Sequence, residues 1–362
     1  MPGIGRAGAS GLRPLRAPRP TWTAAVVALA LAAALVGCDS GTKELASAEL
    51  VTAGLTPAEQ EQGAHMRITD IEVTGPAAAQ HPGTPNRIGS DRIRVRAYEP
   101  VLEPGGKPWA TLVWAHGGSF LRGTLDWPEA DWVSRQFADA GIQVYSVDYI
   151  LASDTVQAPA PSNDVAAVLS WAAERAEPEA LLVIGGASAG AHLATLAALD
   201  RADRAAAEDG RVADALILEY PTMHRVQLPD PAIAAATAGL PEQRRFSDDR
   251  IAEMYAFYLG AGPEGGAGLQ AGDAPVAGEL PAERLAALPP TTIVNADADD
   301  LRASGEQFAE QLRAAGVPVT ASIQPGTVHG YLNRPEETAT SLVDAEETID
   351  RFVIALRQIA AG

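Results

Sequence analysis

Apolar and polar positions alternate along MRITDIEV (66–73) and again along DRIRVRAY (91–98), where Ile93, Val95 and Ala97 share one face and Arg92, Arg94 and Arg96 the other. A period of two predicts half-buried strands. Downstream the apolar runs become unbroken: WATLVWA (109–115), IQVYSVD (142–148), ALLVIG (180–185), ADALILE (213–219) and TTIVNA (291–296), with VPVTASIQ (317–324) as the last strand. Short unbroken runs are expected of strands covered on both faces of a parallel sheet. Helix-length segments lie between them, at about 128–140, 163–176, 190–207, 304–315 and 340–359. The alternation predicts an α/β fold, with a mostly parallel central sheet and helices on both faces.

Two stretches break the rhythm. Residues 221–290 separate two predicted strands by about seventy positions, where a loop of ~2–6 residues would serve. They contain a helix-like segment, FSDDRIAEMYAFYLG (246–260), and a Gly-rich loop (261–278). An insertion of this size predicts a cap or binding element. Its glycines lack the Gly-Lys-Ser/Thr ending of a phosphate loop. At the other end, residues 1–20 are polar and Pro-rich, 22–36 (WTAAVVALALAAALV) carry no charge, and Gly37-Cys38-Asp39 follow. A basic lead, a short apolar run and small residues predict a secretory signal peptide over 1–37. The run is short for a spanning helix, which needs ~20 residues. An uncleaved signal anchor is the alternative, and either places the body outside the cytoplasmic membrane. Residues 38–63 then read as a polar tether, and 64–362 as the folded domain. The literal GxGxxG at Gly3, Gly5 and Gly8 follows no strand, so it does not predict a dinucleotide site.

Composition narrows the function classes. Of 362 residues, 47% are apolar and 20% charged, which suits one large α/β domain. Acidic residues number 46 against 27 basic, a net charge of −19. Arg6, Arg13, Arg16 and Arg19 are the only charged residues among the first 37; without these four, 23 basic residues face 46 acidic, a net of −23. Such a body repels polyanions, which argues against a nucleic-acid partner. Cys38 is the single cysteine, so no internal disulfide and no Cys-based metal site is expected.

The chemistry is concentrated at strand ends. Gly186-Ala187-Ser188-Ala189-Gly190 directly follows the run ALLVIG and precedes AHLATLAAL. This is GxSxG in its required context of strand, sharp turn and helix, and it makes Ser188 the candidate nucleophile. Among the six histidines, His329 follows the last predicted strand, where α/β folds place reactive groups. His65 and His81 precede the sheet core, His224 lies in the insertion, and His192 reads as helix packing. A carboxylate must orient the base; Asp297, Asp299 and Asp300 follow the strand TTIVNA, with Glu219 in reserve. The chain order Ser, Asp, His is that of α/β-hydrolases. His116-Gly117-Gly118-Ser119 follows WATLVWA, where a glycine-rich loop donates N–H groups to an oxyanion, with His116 as scaffold.

These residues resemble the hormone-sensitive-lipase-like carboxylesterases, the fold-3 group of α/β-hydrolases. The resemblance runs from about residue 91 to the C-terminus. It takes in Val147-Asp148-Tyr149, the pattern of Asp299, Leu301, Arg302 and Gly305, the segment AAGVPV (314–319), and His329-Gly330. It implies Ser188, Asp299 and His329 as the triad, and Gly117, Gly118, Ser119 and Ala189 as oxyanion donors. It also implies a substrate-covering cap at 221–290 and hydrolysis of short- to medium-chain acyl esters without metal or cofactor. The chain departs from the family pattern at Ser119, at Ile150–Asp154, and at Ala187 and Ala191 beside the nucleophile. Separately, Leu35-Val36-Gly37-Cys38 resembles the lipobox of bacterial lipoproteins, which implies cleavage before Cys38 and a lipid anchor on it. The expectation is a membrane-anchored extracytoplasmic serine esterase with a small-molecule ester substrate. A carbohydrate acetyl esterase with the same triad is one alternative, and an inactive surface-binding lipoprotein on the same fold is another. Ile251, Met254, Tyr255 and Phe257 in the insertion are candidates either to meet an apolar substrate group or to pack on the body.

Overall fold

The strands predicted from the hydropathy pattern assemble into one eight-stranded sheet in a computed structural model, which describes residues 66–75, 91–208, 210–260 and 274–362. The predicted signal peptide, Cys38 and the tether lie outside the described residues, as do His65, His81 and most of the Gly-rich loop. In chain order the first half runs β1 (Arg67–Thr74), β2 (Arg92–Glu99), β3 (Ala110–Ala115), α1 (Asp131–Asp139), β4 (Ile142–Val147), α2 (Ala160–Ala173), β5 (Leu181–Ala187) and α3 (Ala189–Glu208). After β6 (Ala215–Glu219) the described residues form the helices α4 (Pro231–Thr237), α5 (Asp248–Leu259) and α6 (Ala282–Leu285). The chain closes with β7 (Thr291–Ala298), α7 (Arg302–Ala314), β8 (Val319–Val328) and α8 (Ala339–Ala360).

The sheet order is β1-β2-β4-β3-β5-β6-β7-β8. β2 pairs antiparallel with both β1 and β4, and every later pairing is parallel. Strand alternation feeds two cores. Val113, Ile184 and Leu218 point to a layer closed by Leu169 of α2, Leu193 of α3 and Phe308 of α7. Their neighbours Leu112, Val183 and Ile217 point to the opposite layer, with Phe137 of α1 and Phe352 of α8. Every residue of β3 and β6 is buried, which is why those runs show no polar alternation.

Two features of this topology place the chemistry. After β3 the chain crosses to β4 on one side, and then returns to place β5 on the other. The carboxyl ends of β3 and β5 therefore flank a switch point, where open α/β sheets bind ligands. The second feature is a bulge: Ala296 pairs with Gln324, but Ala298 pairs with Val328, so β8 carries extra residues at Pro325-Gly326. Bulges re-aim the side chains beyond them, and the next residue is His329.

Insertion 221–290 is more structured than its single predicted helix. Asp230 caps α4, accepting from the N–H groups of Ala232 and Ile233, with Pro231 at the first helical position. Within α5, Ile251, Met254 and Tyr255 are buried in the same core as α3. Three of the four apolar candidates thus pack on the body, and Phe257 is left exposed.

Candidate active site

β5 runs into Ala187 and α3 starts at Ala189, leaving Ser188 alone on the turn, at φ 53°. This left-handed conformation is costly for a residue with a Cβ and persists only where its surroundings impose it. Two contacts do so. The Ser188 N–H donates to the Glu219 carbonyl at 2.9 Å. A Cβ on Gly186 or Gly190 would lie 2.5 or 2.1 Å from the Ala115 carbonyl oxygen, so both positions must be glycine for β3, β5 and α3 to meet this closely.

The Ser188 hydroxyl lies 2.9 Å from His329 Nε2, and His329 Nδ1 lies 2.7 Å from Asp299 Oδ2. The other Asp299 oxygen accepts from the Leu301 N–H at 2.9 Å. His329 is held further by Arg334, which donates to its carbonyl at 2.7 Å, and by the Tyr220 and Phe246 rings, 4.8 and 4.6 Å from the imidazole. The strand-end pattern alone leaves three aspartates open and the family resemblance points to Asp299; the structure gives the three separate tasks. Asp299 meets the imidazole. Asp297 accepts from the Gly326 N–H at 2.9 Å and pins the bulge of β8. Asp300 pairs with Arg245 at 2.8 Å and accepts from the Phe246 N–H, tying the insertion to the end of β7. The reserve acid, Glu219, is wholly buried, and burial pushes its carboxyl well up.

The other described histidines are scaffold. His116 is buried and donates from Nδ1 to the Gly117 carbonyl at 2.7 Å, and Tyr149 donates to the His116 carbonyl at 2.8 Å. Burial pushes the His116 and His192 imidazoles down to about 4, so both are neutral near pH 7. His192 packs among Phe120, Tyr255 and Tyr258. His224, in the insertion, reaches Ser304 Oγ and Gln311 of α7.

The loop after β3 requires one correction. The Gly117 N–H is not available to a substrate, because it donates to the Glu129 carboxylate. The N–H groups of Gly118, Ser119 and Ala189 enter no hydrogen bond among the described residues. Gly118 sits at φ 120°, where a Cβ would fall 1.9 Å from the Arg122 carbonyl oxygen. Ser119, which replaces a family glycine, is accommodated at φ 56°. Glu129 was not legible as a site residue. It is buried, takes the Gly117 N–H on one oxygen and the Tyr220 hydroxyl on the other, and its backbone is held by Asn333 and Trp114. Its carboxyl is pushed up by burial, with Tyr220 and Gly117 opposing. WPEADW carries no sequence signal for this role.

A cavity of about 480 Å³ opens over Ser188 and His329. Its walls include Gly118, Ser119 and Trp127 from the loop, and Phe246 and Arg250 from the insertion. A larger hollow of about 780 Å³, beside Trp171 and Arg175, contains none of these residues.

A mostly parallel sheet, a serine on a strained strand–helix turn and a histidine and aspartate after later strands together define an α/β-hydrolase. The sequence pattern of the alpha/beta hydrolase fold family matches residues 112–333. Carboxylic ester hydrolase LipN of Mycobacterium tuberculosis is 32% identical over 275 residues, covering 74% of this chain and 65% of LipN. Esterase LipI of the same organism is 31% identical over 303 residues, 82% of this chain and 83% of LipI. Among solved structures, an esterase of Pyrobaculum calidifontis superposes with a TM-score of 0.63 at 25% identity, over 82% of this chain and 87% of that one. The chain belongs to the α/β-hydrolase family, in its hormone-sensitive-lipase-like fold-3 group, and is a carboxylic ester hydrolase.

Proposed function

We propose that the protein is a serine carboxylesterase acting on short- to medium-chain acyl esters through an acyl-serine. The carrying observation is the continuous relay from Ser188 Oγ through the His329 imidazole to Asp299, with links of 2.9 and 2.7 Å. Ser188 attacks the ester carbonyl while His329 takes its proton, and Asp299 fixes the tautomer and offsets the imidazolium charge. The N–H groups of Gly118, Ser119 and Ala189 hold the tetrahedral oxyanion. His329 then returns the proton to the leaving alcohol and activates the water that releases the acyl group. The scheme calls for no metal or cofactor.

Hydrolysis of p-nitrophenyl esters from acetate to dodecanoate tests this, with Ser188→Ala as control. Activity peaking at short chains and abolished in the control is expected; full activity in Ser188→Ala refutes it. The polar walls of the cavity, with Gln243, Asn333 and several arginines, favour a polar alcohol and keep the carbohydrate acetyl ester as a second reading. The reading also includes a cap built from 221–290, and a signal peptide over 1–37 followed by a lipid anchor at Cys38 that holds the domain outside the cytoplasmic membrane. Incorporation of a labelled fatty acid that is lost in Cys38→Ser tests the anchor, and unchanged labelling refutes it.

A further inference from the structure

The cavity over Ser188 is unusual in its charge. Four guanidiniums line it, from Arg122, Arg244, Arg250 and Arg334, in a chain whose net charge is −19. Carboxylates do not balance them. Among the described residues Glu129 is the only acid in the lining, and its two oxygens are engaged with the Gly117 N–H and the Tyr220 hydroxyl. Arg244 and Arg334 share a single carboxylate, Glu337, from outside the cavity. Arg250 lies over the Phe246 ring, 4.4 Å from its centroid, and donates to the Arg245 carbonyl; it has no carboxylate partner among the described residues. Surplus positive charge focused in a concave site draws and orients anions, and guanidiniums suit carboxylate and phosphate oxygens.

The surplus also has a side. Arg334 holds the His329 carbonyl, and Phe246, which carries Arg250, packs on the His329 ring. Arg244 is joined to Arg334 through Glu337. Three of the four guanidiniums are therefore linked to the histidine, Arg334 directly, Arg250 through Phe246 and Arg244 through Glu337. In an acyl transfer the histidine must reach the leaving oxygen to return its proton, so the alcohol half of the ester occupies the space beside His329.

We propose that the natural ester carries an anionic group on its alcohol half, received by Arg244, Arg250 and Arg334. The inference rests on the serine-esterase reading and adds the substrate class. It also supplies a reason for placing arginines where a hydrolase of neutral esters needs only apolar walls.

The test uses 5-acetoxy-2-nitrobenzoate against its methyl ester, two chromogenic acetates that differ by one charge on the leaving phenol. Rates are divided by spontaneous hydrolysis to remove intrinsic reactivity, and the readout is the ratio of kcat/KM values within one preparation. The expected ratio favours the carboxylate by about tenfold or more at low salt and falls toward parity at high ionic strength, where screening acts within a few ångström. Arg250→Gln should lower the ratio several-fold; because both rates come from one sample, loss of folded protein cancels. A second pair, mono-4-nitrophenyl succinate against 4-nitrophenyl butyrate, places the charge on the acyl half and should show no such preference. A ratio at or below one, a ratio indifferent to salt and to Arg250→Gln, or a preference only in the second pair overturns the inference while leaving the esterase intact. Hydrolysis of none of the four esters overturns the esterase reading, and this inference with it.

Discussion

Replacing Glu129 by leucine substitutes an apolar side chain and removes both acceptors beneath the oxyanion loop. Glu129 is 1% exposed and takes the Gly117 N–H and the Tyr220 hydroxyl, so leucine leaves two buried donors without partners. Each such donor costs about 1–3 kcal/mol. The Tyr220 hydroxyl can rotate to find another acceptor. The Gly117 N–H cannot, because the following residues are locked at φ 120° for Gly118 and 56° for Ser119. Only a turn of the Gly117 peptide would relieve it, and that turn carries the Gly118 and Ser119 N–H groups out of line. Relief from burying a carboxyl that the site already pushes toward protonation offsets part of the cost. The net loss of stability is then about 2 kcal/mol, a fall in Tm of roughly 3 °C for a domain of this size.

The effect on turnover should be larger than the effect on stability. Misalignment of one oxyanion donor costs ~10²–10³ in kcat, and KM should hardly change because the oxyanion exists only on the way to the acyl-enzyme. Glu129→Gln is the matched control: its amide oxygen accepts from Gly117 and its NH2 donates to the Tyr220 oxygen, so kcat should stay within about tenfold. The assay is hydrolysis of p-nitrophenyl butyrate, with active sites counted by fluorophosphonate labelling of Ser188, so that unfolded molecules drop out. If Glu129→Leu keeps kcat within about threefold per labelled site, far short of the cost of a lost donor, Glu129 does not hold the loop and the reasoning fails.

Three further outcomes follow from the same geometry. Asp299→Asn should lower kcat ~10⁴-fold by stabilising the wrong imidazole tautomer, whereas Asp297→Asn and Asp300→Asn, which hold Gly326 and Arg245, should retain most of it; equal losses across the three would refute the assignment. Gly118→Ala places a Cβ against the Arg122 carbonyl at a φ that disfavours it, so kcat should fall ~10²-fold or more, and wild-type turnover would show that the loop is not held as described. Glu219 has its carboxyl raised well above 4.5 by burial, so the native state keeps a proton that the unfolded chain releases, and stability falls as pH rises above about 4.5. Denaturation of Glu219→Gln, which has no such proton to lose, should show its stability relative to wild type rising from pH 5 to 8, by at most ~1.4 kcal/mol per pH unit; a pH-independent difference would refute this.

Hydropathy pattern and site legibility divide along a physical line. Strands β3 and β5 to β7 were legible because burial on both faces demands a largely apolar run, β4 because its buried Ile142, Val144 and Val147 mark it, and the observed ends differ from the predicted ones by at most two residues. Ser188 was legible because its turn needs glycine on both sides within a few positions of the chain, so that local sterics write the motif. The helix α4 was missed although Asp230-Pro231 is a capping signal, since its seven residues bury only Ile233 and Thr237 and leave no periodic stripe. The bulge of β8 was missed for a related reason: Pro325-Gly326 ends a strand as readily as it bends one, and only the pairing with β7 shows that the strand resumes.

What stayed hidden is the set of contacts made across large sequence separations. Glu129 lies 12 residues from Gly117, 91 from Tyr220 and 204 from Asn333, and nothing local marks a lone glutamate as a buried acceptor. The arginines around His329 come from two separate segments, and in an acidic chain their sum is invisible until the fold collects them. The chemistry of the reaction is thus written in short motifs, because it needs backbone geometry that only certain residues adopt. Selectivity is written in side chains that any helix or loop can carry, so it becomes readable only once three-dimensional proximity is known. That is why the family could be reached from the sequence, whereas the charge of the substrate had to be inferred from the walls of the cavity.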